Sequence, residues 1–556
     1  MTPDNLVDDR PDEGIFRVNR EAFVDPGLFE REIREIFERC WLYLGHESQV
    51  PRHGDYFSAR MGRHPVFVIR GSDGRIRCFY DACTHRGSRL TGRTSGTAKT
   101  LTCRYHGWGF SADGNCTLVR GRDEAYLEPD LDRMGTDLRP IAQFDGYKGF
   151  LFGCLDPSAP PLEDFLGGAK PFIDLMADQS PDGMEVLRGE SRYVMEANWK
   201  FQTENSTDGY HVATVHRNFA TTVGYRETLL PEDRDAMAKT EASRILSLDK
   251  IGSGGYDVGN GHMINWADRG NPEAGPLWPQ REALLQRFPE GKVKWMLERG
   301  RTVTVFPNLL LNDVASTCIR VWRPVSVGLT EIETWCLAPR GEAPEARRAR
   351  IRKYEDFFFP ASLAVPDDVR AMEGAHTGSL AMEGGWNDLA LGRKTLVDGA
   401  DDAAQELGFV LGGVGAVGDH GRALGAAVGA GDGEDRRHLV GFGCALQPAE
   451  HVDVQVLGLL GVLALPAPDR TTLDDAEVTA VALLAQLLQL GDGGGVVRRC
   501  AGDGVHVWIL LLGRHCCHQP GRERSHLRPR TTLPGRAPVA SPPSKVIFWR
   551  IAWLRP

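Results

Sequence analysis

The sequence has no excess of basic residues, since 65 Lys and Arg are set against 75 Asp and Glu for a formal net charge of −10. That balance gives no electrostatic footprint for nucleic acid, so we expect no nucleic-acid partner. No run reaches the roughly 18 apolar residues that a membrane-spanning helix needs, and the acidic N-terminus lacks the basic-then-apolar pattern of a signal peptide. These absences predict a cytoplasmic protein with no membrane segment.

A disulfide framework is also lacking. Twelve cysteines are scattered along 556 residues with no secretion signal, and that usage is typical of a protein from a reducing compartment. In such a compartment, cysteines that have histidines close by in the sequence indicate metal binding rather than covalent cross-linking.

The last part of the chain lacks residue types that an ordinary domain contains. After about residue 410 there is no Asn, Met or Tyr, and a single lysine, Lys545, follows Lys394. Such a composition over roughly 145 residues lies well outside the usage of globular domains. Residues 411–556 are therefore interpreted either as a low-complexity appendage or as out-of-frame translation of a GC-rich gene. We expect poor order there and assign no function to it.

The rest of the chain divides by its hydrophobic pattern. Apolar residues at helical spacing over residues 15–40 predict a helical lead-in within residues 1–40. Short apolar runs separated by turns predict a small antiparallel β domain over residues 41–160, which ends at a proline-rich stretch. Strand-like runs followed by two helices predict an α+β domain over residues 161–410.

The first group of candidate site residues is Cys83, His85, Cys103 and His106, which form C-x-H followed by C-x-x-H. Each loop offers one cysteine and one histidine in the same order, whereas a zinc finger takes its cysteines from one half and its histidines from the other. The pairing favours a [2Fe–2S] cluster with both cysteines on the inner iron and both histidines on the outer one. A zinc site or four unrelated residues are the alternatives.

The second group is Asp208, His211 and His216, to which an acidic residue later in the chain can be added. The two histidines are five residues apart, and this spacing does not place both on one face of a regular helix. We therefore predict a bulge or a helix end between them. A carboxylate from Asp367 or Asp368 would complete a two-His-one-carboxylate site for non-heme Fe(II). Helix capping by Asp367 is the competing explanation. We predict that Asp208 accepts hydrogen bonds from the imidazoles of both centres and gives electrons a short path between them.

Together the two groups resemble the motifs of the α subunits of Rieske non-heme iron ring-hydroxylating dioxygenases. Within this family the benzoate, toluate and anthranilate dioxygenase branch is most similar, over residues 12–410. The shared stretches are His46-Glu47-Ser48-Gln49, Asp178-Gln179-Ser180-Pro181, Asn198-Trp199-Lys200, Glu204-Asn205 and Tyr354-Glu355-Asp356-Phe357-Phe358. The resemblance implies an α+β fold, with an all-β Rieske [2Fe–2S] domain joined to a helix-grip (START-like) antiparallel-sheet catalytic domain that includes residues 1–40. It also implies that Asp368 is the iron ligand, with Asp367 as the fallback.

The resemblance further implies a terminal oxygenase that adds both atoms of O2 to adjacent ring carbons of an aromatic acid. The resemblance also implies a separate flavin/iron–sulfur reductase that brings electrons from NADH. This chain itself is not expected to bind NADH, because it has no G-x-G-x-x-G between a strand and a helix. The family pattern implies an α3β3 assembly with a small β subunit, in which the cluster of one subunit feeds the iron of its neighbour through Asp208. Arg217 is a hypothetical partner for the aromatic carboxylate, with a solvated surface arginine as the competing interpretation.

Two other functions are weighed. A Rieske monooxygenase that acts on a chlorinated phenoxyacetate or on salicylate would share both groups of residues. A Rieske electron-transfer protein needs a single small domain and no second iron, so His211, His216 and Asp368 argue against it.

Overall fold

The computed structural model describes residues 6–229, 252–381, 385–390, 402–407, 416–417, 464–466, 495–502 and 505–512. The chain separates into two units, residues 1–448 and residues 449–556, which are described one at a time. None of the helices in the described ranges combines the length and the apolar character that a bilayer crossing requires.

The first described elements are β1 (Val7–Arg10), β2 (Ile15–Asn19), α1 (Glu21–Val24) and α2 (Pro26–Glu32), and α2 continues into a π-helical turn over Ile33–Phe37. Residues 15–19, for which the sequence predicted helix, instead form the central strand of a three-stranded sheet between β1 and Trp386–Asp388. The alternate burial of Phe16 and Val18 is the two-residue period of a strand, which the helical interpretation overlooked.

Residues 42–154 form three small antiparallel sheets, as predicted for this part of the chain. The strands are β3 (Leu42–His46), β4 (Asp55–Met61), β5 (His64–Arg70), β6 (Ile76–Tyr80), β7 (Ser95–Thr97), β8 (Thr100–Thr102), β9 (Gly109–Ser111), β10 (Cys116–Leu118), β11 (Gln143–Tyr147) and β12 (Phe150–Cys154). The short helices α3 (Arg122–Ala125) and α4 (Glu128–Met134) connect β10 to β11. The strand orders are β6-β5-β4-β7, β10-β9-β8 and β11-β12-β3.

Strand β5 is buried on both faces, and its alternate side chains enter two different cores. Phe67 and Ile69 pack in a core that also contains the cysteines of the C-x-H and C-x-x-H loops. Val66 and Val68 point the other way and pack with the helices of the N-terminal segment. Because successive side chains of a strand point to opposite faces, a strand covered on both sides is apolar throughout.

Residues 162–417 combine helices with the strands of one large sheet. The helices are α5 (Leu162–Leu166), α6 (Lys170–Ala177), α7 (Trp199–Thr207), α8 (Val212–Val215), α9 (Arg217–Leu229), α10 (Arg281–Leu285), α11 (Glu290–Glu298), α12 (Pro344–Phe357), α13 (Val365–Ala381) and α14 (Asp402–Glu406). The strands are β13 (Met184–Val186), β14 (Ser191–Met195), β15 (Ser253–Asp257), β16 (Met263–Asp268), β17 (Arg299–Val305), β18 (Leu309–Asn312), β19 (Cys318–Ser326), β20 (Leu329–Pro339), β21 (Trp386–Asp388) and β22 (Ala416–Val417).

Nine of these strands form one sheet in the order β13-β20-β19-β18-β17-β16-β15-β22, with β14 also paired to β20. Every described pairing in this sheet is antiparallel. Strand β21 instead pairs with β2 and so joins the N-terminal segment to this part of the fold. The predicted α+β class with an antiparallel catalytic sheet is confirmed.

Helices α7 and α13 pack on one another and on the sheet. Helix α7 contacts β16, β17 and β19, and α13 contacts α7, α8 and β14. Asn198 starts α7 by accepting a hydrogen bond from the N–H of Lys200 at 3.1 Å. Trp199 and Phe201 of α7 share one core with Met372 of α13. That shared core fixes the two helices against each other.

The unit of residues 449–556 is described over three strands, β23 (Ala464–Pro466), β24 (Gly495–Gly502) and β25 (Val505–Leu512). They form an antiparallel sheet in the order β23-β25-β24. Two predictions were made for residues 411–556, namely poor order and an out-of-frame origin. Apart from the strands given above, these residues lie outside the described part of the chain.

Candidate metal centres

The C-x-H and C-x-x-H motifs lie in two loops, one between β6 and β7 and the other between β8 and β9. In each loop the glycine four residues after the cysteine donates its N–H to the cysteine carbonyl, Gly87 to Cys83 at 2.8 Å and Gly107 to Cys103 at 2.9 Å. Both glycines have positive φ, +70° and +76°, in a region that side-chain-bearing residues rarely adopt. The two motifs therefore follow the same tight turn.

The structure brings together the side chains that these two loops offer. Cys83 and Cys103 are 3% and 2% exposed and pack in one core, and each thiol influences the ionisation of the other. The rings of His85 and His106 have centroids 4.6 Å apart, and the Nδ1 atom of each is buried without a hydrogen-bond partner in the described residues. Two adjacent thiols and two unengaged ring nitrogens fit the donor set of a cluster with two Cys and two His ligands.

Backbone N–H groups are directed at both sulfurs. In each loop they come from the residues two and three positions after the cysteine. Burial opposes ionisation of both thiols, yet the N–H donors hold the pKa of Cys103 below its ordinary value. Hydrogen bonds to sulfur are among the factors that set the potential of an iron–sulfur cluster, so this loop geometry is suited to a redox centre.

Two aromatic residues fix the ring of His85. The buried Trp108 ring stacks on it with centroids 4.9 Å apart and an interplanar angle of 5°. The hydroxyl of Tyr126 lies 3.4 Å from His85 Nε2. Sequence reasoning did not identify Tyr126, because it lies 41 residues from His85 and outside any local motif.

Asp208, His211 and His216 lie where three helices meet. Asp208 follows the last residue of α7, His211 precedes the first residue of α8, and His216 follows its last residue. The backbone of His216 leaves the helical region, with φ −91° and ψ 15°, and the two imidazole centroids are 5.3 Å apart. A helix end, one of the two structural features predicted between the histidines, brings the imidazoles together.

Asp368, the fourth residue of α13, completes this group. Its Oδ1 lies 3.3 Å from His216 Nε2 and 3.5 Å from His211 Nε2. One donor atom from each of the three residues, called the triad below, lies within 4.8 Å of the others. Burial lowers the pKa of His216 to about 4, so its imidazole is neutral at pH 7 and has a lone pair to offer. This neutral imidazole, the imidazole of His211 and the carboxylate of Asp368 fit a facial Fe(II) site.

The neighbouring Asp367 does not join the triad. The hydroxyl of Ser362 accepts hydrogen bonds from the N–H groups of Ala364 and Val365 at 3.2 and 3.1 Å, and so caps this end of α13. Burial, with the charge of Asp368 beside it, raises the pKa of Asp367. The capping role that was considered for Asp367 is thus performed by Ser362.

Two polar side chains at the end of α7 hold the triad. Asp208 Oδ2 lies 3.3 Å from His211 Nδ1, and its Oδ1 accepts hydrogen bonds from the N–H groups of Tyr210 at 2.5 Å and His211 at 3.1 Å. Asn205 Nδ2 lies 3.2 Å from Asp368 Oδ1 and 3.3 Å from His211 Nε2. Sequence reasoning missed this role of Asn205; its position one helical turn before Asp208 was the available signal.

Arg217, at the start of α9, has an exposed side chain. That exposure supports its interpretation as a surface arginine over its hypothetical role as a partner for an aromatic carboxylate.

Two protein-family models match the chain. The Rieske [2Fe–2S] domain matches residues 40–132, which include both cysteine–histidine loops. The ring hydroxylating alpha subunit (catalytic domain) matches residues 184–398, which include the triad. The chain therefore contains a Rieske [2Fe–2S] domain and the catalytic domain of a family that binds mononuclear iron.

Curated relatives match most of their own length. Toluate 1,2-dioxygenase subunit alpha from Pseudomonas putida is 43% identical over 405 residues, which are 73% of this chain and 87% of that protein. The 2-halobenzoate 1,2-dioxygenase large subunit from Burkholderia cepacia is 40% identical over 73% of this chain and 86% of that protein. The anthranilate 1,2-dioxygenase large subunit from Acinetobacter baylyi is 37% identical over 72% and 86%.

Solved structures agree with these relatives. Naphthalene 1,2-dioxygenase with indole in its active site superposes with a TM-score of 0.65 and 27% identity, covering 77% of this chain and 93% of that one. The quaternary ammonium Rieske monooxygenase CntA superposes with a TM-score of 0.52 at 20% identity, which shows a shared fold. The two metal centres, the two family models and the relatives together show that this chain belongs to the Rieske non-heme iron ring-hydroxylating dioxygenases as a large, or α, subunit.

Proposed function

We propose that this chain is the large subunit of a terminal oxygenase that cis-dihydroxylates an aromatic carboxylate of the benzoate, substituted benzoate or anthranilate type. The observation that carries the proposal is the triad of His211, His216 and Asp368, whose donor atoms lie within 4.8 Å of one another. A protein that only carries electrons does not need a second iron site of this kind. The substrate class is supported by the relatives named for toluate, 2-halobenzoate and anthranilate, which are all aromatic carboxylates.

The cluster ligands in this proposal are Cys83, Cys103, His85 and His106. The cysteines would hold one iron and the histidines the other, as the adjacent thiols and the unengaged Nδ1 atoms of the described loops allow. Neutral imidazoles in place of two thiolates raise the potential of a [2Fe–2S] cluster, so that it accepts electrons readily.

The triad in this proposal would hold Fe(II), with His211, His216 and Asp368 as its protein ligands. Iron held in this position would supply the binding and activation of O2. The protein's own residues prepare that position, because Asn205 donates to the carboxylate of Asp368 at 3.2 Å and Asp208 holds the imidazole of His211. The burial of His216 and Asp368, 3% and 4% exposed, keeps water from one side of the site.

We further propose that the chain works in an α3β3 assembly with a small β subunit and takes electrons from a flavin/iron–sulfur reductase that oxidises NADH. Asp208 would connect the cluster of one subunit to the triad of the next. The net reaction joins O2 to two adjacent ring carbons and consumes two electrons and two protons, which gives a cis-dihydrodiol and places the enzyme in the EC 1.14.12 class.

Iron counting tests the proposal at low cost. Purified protein with both centres filled should contain about three irons per chain, two in the cluster and one at the triad. About two irons per chain, with the visible spectrum of the cluster intact, would contradict the oxygenase and leave an electron carrier.

Labelled O2 separates the dioxygenase from a monooxygenase that acts on a phenoxyacetate or salicylate. The chain, its β subunit and a reductase are incubated with labelled O2 and benzoate, anthranilate, halobenzoates, salicylate and phenoxyacetates in turn. Two labels in one diol are expected by mass spectrometry, whereas one label in a phenol would favour the monooxygenase.

A further inference from the structure

Arginines on and beside the catalytic sheet form ion pairs with acidic residues, with one exception among those that the structure describes as buried. Arg301 of β17 pairs with Asp313, and the half-buried Arg323 of β19 pairs with Glu333. The buried Arg350 of α12 pairs with Glu342. Arg299 likewise pairs with Glu406 at 2.8 Å. Pairing of this kind is expected, because an uncompensated buried charge is costly.

Arg320 of β19 is the exception. Its side chain is buried, with 4% of the residue exposed, and its Nε has no hydrogen-bond partner among the described residues. Burial opposes the charge of the guanidinium, whereas Tyr193, Cys318 and Asp368 favour it and hold the pKa of Arg320 above its ordinary value. A buried guanidinium that forms no ion pair with a carboxylate in the described fold points to an anion that is bound during function.

The sheet register places Arg320 on the same face as the core of α7 and α13. Along β19, Arg320 lies opposite Thr334 of β20, and Trp322 lies opposite Ile332. Trp322 and Ile332 pack in the core that contains residues of α7 and α13. Because every second residue of a strand points to the same face, Arg320 faces the helices that carry the triad.

Tyr193 of β14 lies on the same face of the sheet, two strands away from Arg320. It lies opposite Ile332 of β20, which in turn lies opposite Trp322 of β19. Its hydroxyl is buried and has no hydrogen-bond partner in the described part of the chain. Burial raises the pKa of this phenol to about 12 against the opposing charge of Arg320, and the register places both side chains on the face that α7 and α13 cover.

We propose that Arg320, assisted by Tyr193, binds the carboxylate of the aromatic acid and thereby orients its ring toward the triad. A planar guanidinium offers parallel N–H donors that match the two oxygens of a carboxylate, and a phenol can add one more hydrogen bond. This inference rests on the proposed function, because it presumes that the substrate is an aromatic acid. It assigns to Arg320 the role that sequence reasoning had considered for Arg217.

The test measures binding and turnover in the Arg320→Gln variant of the complete oxygenase. Dissociation constants of benzoate and of neutral benzamide are obtained by calorimetry on the oxidised protein, and turnover of both is followed with the reductase. Benzoate affinity should fall about a hundredfold in Arg320→Gln and about tenfold in Tyr193→Phe, with benzamide affinity almost unchanged. Arg320→Lys keeps the charge without the planar fork, and its benzoate affinity should lie between wild type and Arg320→Gln.

Arg323→Gln is the matched control, since Arg323 lies on the same strand, points to the other face and pairs with Glu333. Its benzoate affinity should equal that of the wild type. If Arg320→Gln binds benzoate as well as the wild type, the carboxylate site is refuted and the proposed function stands.

Two further outcomes are decisive. If the wild type neither binds nor converts any aromatic acid, the proposed function itself fails. If Arg320→Gln loses iron, then Tyr193→Phe and Arg320→Lys decide the question, and wild-type benzoate affinity in both refutes the carboxylate site.

Discussion

Around the triad, single residues act by holding other residues in place. Asp208 Oδ2 lies 3.3 Å from Nδ1 of His211, while Nε2 of the same ring lies 3.5 Å from Asp368. Asn205 contacts both His211 and Asp368. Such partners matter nearly as much as the ligands themselves in metal sites, so the site extends beyond the three residues that would touch iron.

Replacing one imidazole should empty one centre and spare the other. In His211→Ala, iron should fall from about three to about two per chain and turnover should be lost, because two ligands hold Fe(II) poorly. The visible absorption and the electron paramagnetic resonance of the cluster should be unchanged, since the cluster residues lie in another domain. His64→Ala, a change at a half-exposed histidine, is the matched control and should keep all its iron. A His211→Ala protein with full turnover would rule out the triad.

His262 should make the stability of the fold sensitive to acid. It is buried, its Nε2 donates to the carbonyl of Phe165 at 2.8 Å, and its Nδ1 accepts from the N–H of Phe306 at 3.1 Å. Burial lowers its pKa to about 4, whereas the unfolded chain binds the proton near the ordinary value of 6.5. The stability gained from the neutral ring is therefore present above pH 6.5 and is lost as the pH falls toward 4.

The expected loss from His262 is roughly 2 kcal/mol in the free energy of unfolding between pH 7 and pH 5. Urea titrations at several pH values measure it. In His262→Asn, which cannot take up the proton, the free energy of unfolding should vary less over this interval, whatever its value at pH 7. Equal pH dependence in the two proteins would contradict the lowered pKa.

How far the sequence predicts these residues depends on how local their roles are. Cys83, His85, Cys103 and His106 could be recognised because each loop carries its own short pattern. The contact between Asn205 and Asp368 could not be recognised, because 163 residues separate the two; the sequence offered only the place of Asn205 one helical turn before Asp208 as a signal. The role of Arg320 is harder still to predict from the sequence. Arg320 is distinguished by the lack of a carboxylate partner in the described fold, and a linear sequence does not show which residues pack together.

Among the secondary-structure elements, α7 is the one on which the triad depends most directly, and it is held to α2 by a buried ion pair. Lys200 Nζ donates to Glu32 Oε1 at 2.5 Å, and Trp199 Nε1 donates to Oε2 at 2.8 Å. Lys200 and Glu32 are 0% and 3% exposed. The first turn of α7 is thereby fixed to the N-terminal segment, while its last turn positions Asn205 and ends at Asp208.

Removing one charge of this pair should destabilise the protein strongly. Glu32→Gln leaves the ammonium of Lys200 buried without a counter-charge, and should lower the free energy of unfolding by about 3 kcal/mol. In Glu32→Gln/Lys200→Met no charge stays buried, so the loss should be smaller than in the single variant. Urea unfolding followed by tryptophan fluorescence gives all three values. A double variant less stable than Glu32→Gln would show that the apolar replacement disrupts packing and would contradict this account.

The elements that sequence reasoning predicted well are those with a regular pattern over their full length. The strand-like sequence pattern over Ser191–Met195 coincides with β14, and the charged helical pattern over residues 343–358 coincides with α12 to within one residue at each end. Residues 15–19 were assigned wrongly, because a five-residue strand alternates too briefly to be separated from the helical pattern that follows it. Its partner, Trp386–Asp388, lies at the far end of the domain, so no local signal marked the pairing.

For the whole molecule, the division at residues 40, 160 and 410 stays a prediction, although the family model at residues 184–398 falls within the predicted catalytic part and the one at residues 40–132 begins one residue before the predicted Rieske part. The proposed α3β3 assembly has a sharper consequence. If the cluster of one subunit reduces the triad of the next, a single chain need not possess both centres. Chains damaged at different centres should then complement each other within one trimer.

Co-expression of Cys83→Ser chains with His211→Ala chains tests this directly. Each variant alone should be inactive, since the first lacks a working cluster and the second lacks the mononuclear iron. In a mixed trimer, electrons can pass between two neighbouring chains when a His211→Ala chain supplies the cluster and a Cys83→Ser chain supplies the triad. With random assembly at equal amounts, this gives roughly a quarter of wild-type turnover per chain. The two variants purified separately and then mixed, without exchange of subunits, are the control. If co-expressed trimers of confirmed mixed composition are inactive, electrons pass within one chain, and Asp208 has no role between subunits.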